Sequence, residues 1–248
     1  MVERLGQERG LSHWRRGVGV AAAVLALGLL GTALTVWLAA EAEDRLVQER
    51  FERAAQQAVA DINSQFRAWT NIIASGVGLV QASRTVSRDE WRTFAAAVRP
   101  ADNIPGLRGL AYVAVVREEE LDGFVATQRA RGSLEFTLRD ADPGSPIKTI
   151  VTYIEPQARN EAALGLNSLA NPVIRDVITR AVESGVPSVS DPVWLVQAPA
   201  GRLDSVAYAP VFRAGVPTST PNERWAALSA LVAAPLDLIG AMQVARGT

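Results

Sequence analysis

Between Val18 and Ala40 lie 23 residues without a single charge, VGVAAAVLALGLLGTALTVWLAA. No other feature constrains the chain as strongly. At 1.5 Å rise per residue a helix of this run reaches about 34 Å, enough to cross a hydrocarbon core of roughly 30 Å. A helix apolar on every side is at home in a bilayer, not on the surface of a water-soluble domain. Arg4, Arg9, Arg15 and Arg16 precede the run, against Glu3 and Glu8. Glu41, Glu43, Asp44 and Glu49 follow it, against Arg45 and Arg50. Excess arginine stays in the cytoplasm, so residues 1–17 are expected inside and everything after Ala40 outside. Trp14 and Trp37 fall near the two interfaces. A cleaved signal peptide competes with this reading, because Ala40-Glu41-Ala42 has small residues at the spacing of a cleavage site. The apolar run is longer than the 7–15 residues usual for such peptides. In both readings the body of the chain lies beyond the inner (plasma) membrane, in the periplasm or outside the cell.

From Glu41 to Ser83 there is no proline, and no glycine before Gly76. Small or apolar residues recur at Val47, Phe51, Ala54, Ala58, Ile62, Phe66, Trp69, Ile73, Val77 and Val80. The mean step of about 3.7 residues is a helical stripe close to an 11-residue repeat. The stripe predicts a stalk helix over 41–83, continuous with the membrane helix and about 65 Å long. Such a stripe needs a cover. Its upper part is expected to pack on the following domain and its lower part on a second copy of the chain.

Composition removes several chemistries. There is no cysteine and one histidine, His13. Disulfides, thiolate–metal sites, thiol nucleophiles and His-rich metal sites are thereby excluded. The formal net charge of −1 gives no general attraction to nucleic acid. Lys148 is the only lysine. Asp140 and Asp142 beside Pro143-Gly144 read as turn residues rather than a cation site. Glu118-Glu119-Glu120 reads as a helix start, where acids suit the dipole. Nothing fixes Glu155 and Glu161 as a facing carboxylate pair. No nucleophile has an adjacent base, so a membrane-anchored hydrolase has little to stand on. No cofactor is expected, and this segment is not expected to be an enzyme.

The body alternates strands and helices. Ser87-Arg88-Asp89-Glu90 is a capping box, with Trp91, Phe94, Ala95 and Val98 on one face and Pro100 beyond. Strands are expected at Leu107–Val116, Leu134–Arg139, Lys148–Ile154, Ser188–Gln197, Arg202–Arg213 and Trp225–Ala233. A helix is expected over Glu118–Arg131. Another starts at Asn171-Pro172 and stops at Gly185, with Val173, Ile174, Val177, Ile178, Ala181 and Val182 inward. Strands dominate and helices are inserted between them, which indicates an α+β domain with an antiparallel sheet.

An ordered set of motifs adds to this pattern: Asn103-Ile104-Pro105-Gly106-Leu107, then Tyr153-Ile154-Glu155-Pro156, then Asn160 to Asn167 (NEAALGLN). The capped helix around Arg175 follows, then Gly185, Asp191 to Gln197 (DPVWLVQ), and Ala209-Pro210-Val211-Phe212. The set resembles the CHASE domain, the extracytoplasmic sensor of cytokinin receptors and of many bacterial signalling proteins, over roughly Phe51 to Phe212. The resemblance implies a stalk helix followed by two PAS-like domains, with the ligand in the membrane-distal one. It also implies a homodimer, a second membrane span, and an output histidine kinase, diguanylate cyclase or adenylate cyclase. On this reading residues 84–222 are the distal sensor and 223–248 the start of a truncated membrane-proximal domain. The chain then looks like an N-terminal fragment or, equally, a truncated reading frame, with any output enzyme beyond residue 248.

The resemblance also places candidate ligand contacts. The position of the aspartate that receives cytokinin's purine nitrogens matches Asn167, the main-chain contact matches Val189, and a neighbouring pocket position matches Tyr208. Tyr112, Tyr153 and Trp194 complete the expected lining. Asparagine offers a donor and an acceptor but no charge, so a neutral or amide-bearing ligand suits the site as well as cytokinin. Each residue also has a plainer reading: Asn167 as a turn residue, Tyr208 as sheet packing, Trp194 as core. The expected function is the ligand-sensing part of a membrane receptor. The alternative is a periplasmic interaction or dimerisation module whose domain is packed dry.

Overall fold

The structure, a computed structural model, describes residues 3–83, 85–98, 104–131, 136–139, 145–198, 202–238 and 240–241. Within the first helix, side chains are described at 24–25, 27–38 and from 51 onward. The chain forms two compact units, Met1–Val59 and Ala60–Thr248.

In the first unit every described residue belongs to helix α1 (Glu3–Ala82), which also contributes its last turns to the second unit. The described large apolar side chains from Val24 to Leu38 are all more than half exposed. Among the described residues no helix is long and apolar enough to cross a membrane. The side chains of residues 18–23, 26 and 39–40 lie outside the described residues, and so does part of the expected span. The flanking arginines and acids, and Trp14 and Val47, lie there too.

The second unit is α+β, built on one antiparallel five-stranded sheet. Its strands are β1 (Leu110–Arg117), β2 (Ile147–Glu155), β3 (Ser188–Val189), β4 (Ser205–Phe212) and β5 (Leu228–Leu236), in the order β2-β1-β5-β4-β3. The middle strand β5 is rich in alanine, with Ala230, Ala233 and Ala234 buried, so elements close on both of its faces. On one face, Trp69 and Ile73 of α1 and Trp91 of α2 (Arg88–Val98) pack against Leu110, Tyr153, Ala207 and Val232. Two indoles anchor that layer by donating to main-chain carbonyls: Trp69 to Pro105 at 3.1 Å and Trp91 to Leu110 at 3.2 Å. The Ser87–Glu90 capping box forms as expected, each side chain accepting from the other's backbone N–H.

The opposite face is covered by the helix whose punctuation the sequence displays. After α3 (Leu121–Ala130) and the short α4 (Gln157–Asn160) comes α5 (Pro172–Ser184). Asn171 caps it by accepting from the N–H groups of Val173 and Ile174, and Gly185 ends it at φ 75°. Val177, Ile178, Ala181 and Val182 are fully buried against the sheet. Each of the larger ones contributes roughly 1.5–3 kcal/mol of burial.

Several expectations change. Residues 190–198 form a loop, so the strand expected over Ser188–Gln197 shrinks to the two residues of β3. Val193 and Asp204 make only an isolated bridge there. Leu134 and Glu135 lie outside the described residues; of the strand expected there, Arg139 makes an isolated parallel bridge to Leu166. Trp225 belongs to a capped helix, α6 (Pro221–Ala227), whose capping box is Thr220–Glu223. Its proline and capping box outweigh the β-forming residues that suggested a strand. β5 follows it. It was expected to open a further domain, yet it is hydrogen-bonded between β1 and β4 in the same sheet. Asn103, Asp140 and Asp142 lie outside the described residues.

Candidate functional site

A cavity of about 390 Å³ opens between the α5 face of the sheet, the turn that leads into α5, and the loop Trp194–Gln197. Its floor is apolar: Ala111 of β1, Val151 and Ile154 of β2, Val206 of β4 and Ala233 of β5. Its polar groups come from Arg139, Asn167, Ser168, Asn171, Gln197 and Tyr208. Among the described residues no carboxylate is in the lining. The size and the mix fit a small organic molecule, held by an apolar wall and oriented by a few polar groups.

Local structure fixes the polar side of this wall. Leu164 leaves a 3-10 turn, and the chain then runs beside β2. Gly165 donates to Val151 at 2.9 Å, and Val151 donates to Leu166 at 3.0 Å. Asn167 then caps the next 3-10 turn, Ser168–Ala170. Its side-chain oxygen accepts from the N–H of Thr149 at 3.1 Å and of Leu169 at 3.3 Å. Asn167 is thus both a turn residue and a cavity residue. Tyr208, on β4, reaches the same turn through a hydrogen bond with Ser168, and burial pushes its hydroxyl up to about 12. It is therefore a neutral hydrogen-bonding group at any physiological pH.

Trp194 stands at the mouth, 63 % exposed, followed by the exposed Val196. The structure therefore brings Asn167, Tyr208 and Trp194 together around one cavity.

The other three expected residues stand elsewhere. Val189 lies on the edge strand β3, opposite Ala207, and its carbonyl accepts from Arg180 at 3.1 Å. Tyr112 and Tyr153 stack on each other at 5.6 Å on the α2 side of the sheet, where Trp91 meets Tyr112 at 5.9 Å. Arg88 lies over the Tyr153 ring, 5.5 Å from its centre. Tyr112 also borders a second, more polar hollow of about 360 Å³ beside Val80 and Arg213. Tyr112 faces away from the cavity by ordinary alternation between Ala111 and Val113, and a register shift at Tyr112/Val113 accounts for Tyr153. Tyr112 pairs with Tyr153 but Val113 pairs with Val151, which leaves Thr152 unmatched. The extra residue inverts the alternation of β2, so Val151 faces the cavity and Tyr153 the opposite layer.

Sequence reasoning passed over Arg139, Ser168, Asn171 and Gln197 as cavity residues. Asn171 was visible as a cap, and its place beside the cavity follows from the way α5 starts there. Arg139 was visible as the charged end of an alternating segment.

A family model described as the CHASE domain matches residues 84–247, about two thirds of the chain. The match begins just after α1 and runs past Phe212, through β5. No curated protein matches the chain.

Proposed function

The chain belongs to the CHASE family, and from that premise we propose that it is the extracytoplasmic ligand-sensing region of a membrane-bound signal-transduction receptor. CHASE domains are sensor domains, which agrees with a segment that is not itself an enzyme. The observation that carries the reading is the cavity of about 390 Å³, apolar in its floor and polar at a few points. A dry interaction module, the alternative reading, has no use for it.

The remaining parts of the proposal rest on particular features. The uncharged run 18–40 and its exposed leucines and valines support a membrane anchor, because a bilayer covers such a helix on all sides. Exposed Phe51, Val59 and Phe66 support pairing of the stalk with a second copy. The antiparallel order β2-β1-β5-β4-β3, with helices on both faces, supports a PAS-like sensor fold. A kinase or cyclase following in the full receptor is the output that the family suggests.

In this reading the ligand touches Asn167, Tyr208 and Trp194 from three sides. The cavity lies on one face of the sheet, and Trp69 and Ile73 of α1 lie on the other. A ligand that favours one packing of sheet and turn biases the packing of α1 by a population shift.

Thermal unfolding of the full chain in detergent, screened against small organic compounds, tests this. A true ligand raises the melting temperature of the wild type. It fails to do so for Ala170→Trp, which fills the cavity from the partly exposed turn, or for Asn167→Ala. A compound that stabilises all three alike binds elsewhere, and the site assignment then falls.

A further inference from the structure

Among the described residues, Arg139 is the only formally charged one in the cavity lining. Its backbone is clamped on both sides, donating to Gly165 at 2.8 Å and accepting from Asn167 at 3.2 Å. Its side chain gives one N–H to the carbonyl of Ala162 at 2.9 Å. A guanidinium has five N–H donors, so most of its fork is unused by that contact. Among the described residues Arg139 makes no ion pair, in contrast to Arg108 and Arg202, which share Asp204 and Asp237. Gly165 makes this placement possible. It sits at φ 78°, and a Cβ there would come within 2.0 Å of the Thr137 carbonyl oxygen, so a side chain would push residues 137–139 away.

We infer that the sensor's ligand is an organic monocarboxylate: an apolar body on the floor of Ala111, Val151 and Val206, with its carboxylate on the Arg139 guanidinium at the mouth. The inference rests on the sensor reading above and narrows its ligand class. An apolar wall whose described residues include one cation and no acid is matched by one negative charge on a greasy body. Inorganic phosphate has no surface to offer that wall, and a neutral ligand leaves the fork unmatched. A planar carboxylate can take two parallel hydrogen bonds from the fork, which fixes its orientation as well as its charge. Asn171 and Gln197 stand in the same lining without a competing negative charge.

The test uses three probes with one body and different heads: 3-phenylpropionate, 3-phenylpropionamide and 3-phenylpropylamine. Binding to the full chain in detergent is read by Trp fluorescence and calorimetry, at low and high salt. The expected order is carboxylate above amide above amine, with only the carboxylate weakened by salt. Arg139→Gln should cost the carboxylate on the order of tenfold to a hundredfold and leave the amide within about twofold. Arg139→Lys should fall between, since it keeps the charge and loses the fork. If carboxylate and amide bind the wild type equally, or the preference survives Arg139→Gln, the inference is overturned. Loss of binding in Ala170→Trp then shows that the cavity reading still stands. If none of the three probes binds the wild type at millimolar concentration, the monocarboxylate inference falls, while the cavity reading is decided separately by the thermal screen and Ala170→Trp.

Discussion

Tyr208 ties the cavity to the stability of the sheet. Its hydroxyl ionises near 10 in an unfolded chain and at about 12 here, because burial disfavours the phenolate. A raised pKa contributes stability that is complete below the unfolded value and is lost as pH climbs through the folded value. The loss attributable to Tyr208 therefore falls between pH 10 and about pH 12. Tyr208→Phe removes that titration, so stability should decline less steeply across this window. Burial, and then the neighbouring Tyr153, also raise Tyr112, so the decline is reduced rather than abolished. Near neutral pH the same variant should cost about 1 kcal/mol, because Ser168 loses its partner in a buried turn. Urea unfolding at several alkaline pH values, beside absorbance titration of the phenols, measures both effects. A wild-type and a variant curve that fall in parallel above pH 10 would refute the assignment.

Helix α5 joins two jobs at its N-cap. Asn171 accepts from Val173 at 3.0 Å and from Ile174 at 3.4 Å, and it also lines the cavity. Asn171→Ala should cost about 1 kcal/mol, as loss of a capping side chain usually does. Asn171→Asp keeps the cap and places a negative charge at the positive end of the helix, so stability should hold. The same aspartate should weaken carboxylate probes through repulsion and leave amide probes unchanged. Unfolding and binding measured on the two variants separate the cap from the cavity. α5 was legible in the sequence because its signals are local: a cap, a proline, a 3.6-residue stripe and a glycine stop. The α+β class and the presence of most strands were legible for the same reason. The sheet order was not, since β5 meets β1 and β4 only through contacts distant in the chain. Asn167, Tyr208 and Trp194 came from motif order, and they do converge on one cavity. Tyr153 was placed with them because alternation alone cannot reveal the unmatched Thr152 that turns it to the other face. Arg139 was missed because its position depends on a parallel bridge to Leu166, which nothing near Arg139 announces.

At the scale of the molecule, the proposed receptor requires residues 1–17 and the sensor cavity on opposite sides of a bilayer. On the proposed reading, the charge asymmetry around 18–40 puts the arginine-bearing end in the cytoplasm. The chain has no cysteine, so one introduced thiol reports one place without any background. Val186→Cys puts that thiol just beyond α5, at a position 56 % exposed. Ser12→Cys puts it before the apolar run. A membrane-impermeant maleimide added to cells with an intact inner membrane and a permeabilised outer envelope should label the Val186→Cys chain and spare the Ser12→Cys chain. Lysis should then expose both. The two variants differ only in where the single thiol sits, and lysis exposes both, so a difference before lysis reports the bilayer and not a general preference of the reagent. Labelling of both before lysis would mean that the run does not seal one end inside. Protection of Val186→Cys in intact cells would place the cavity in the cytoplasm, and an extracytoplasmic sensor would no longer describe this protein.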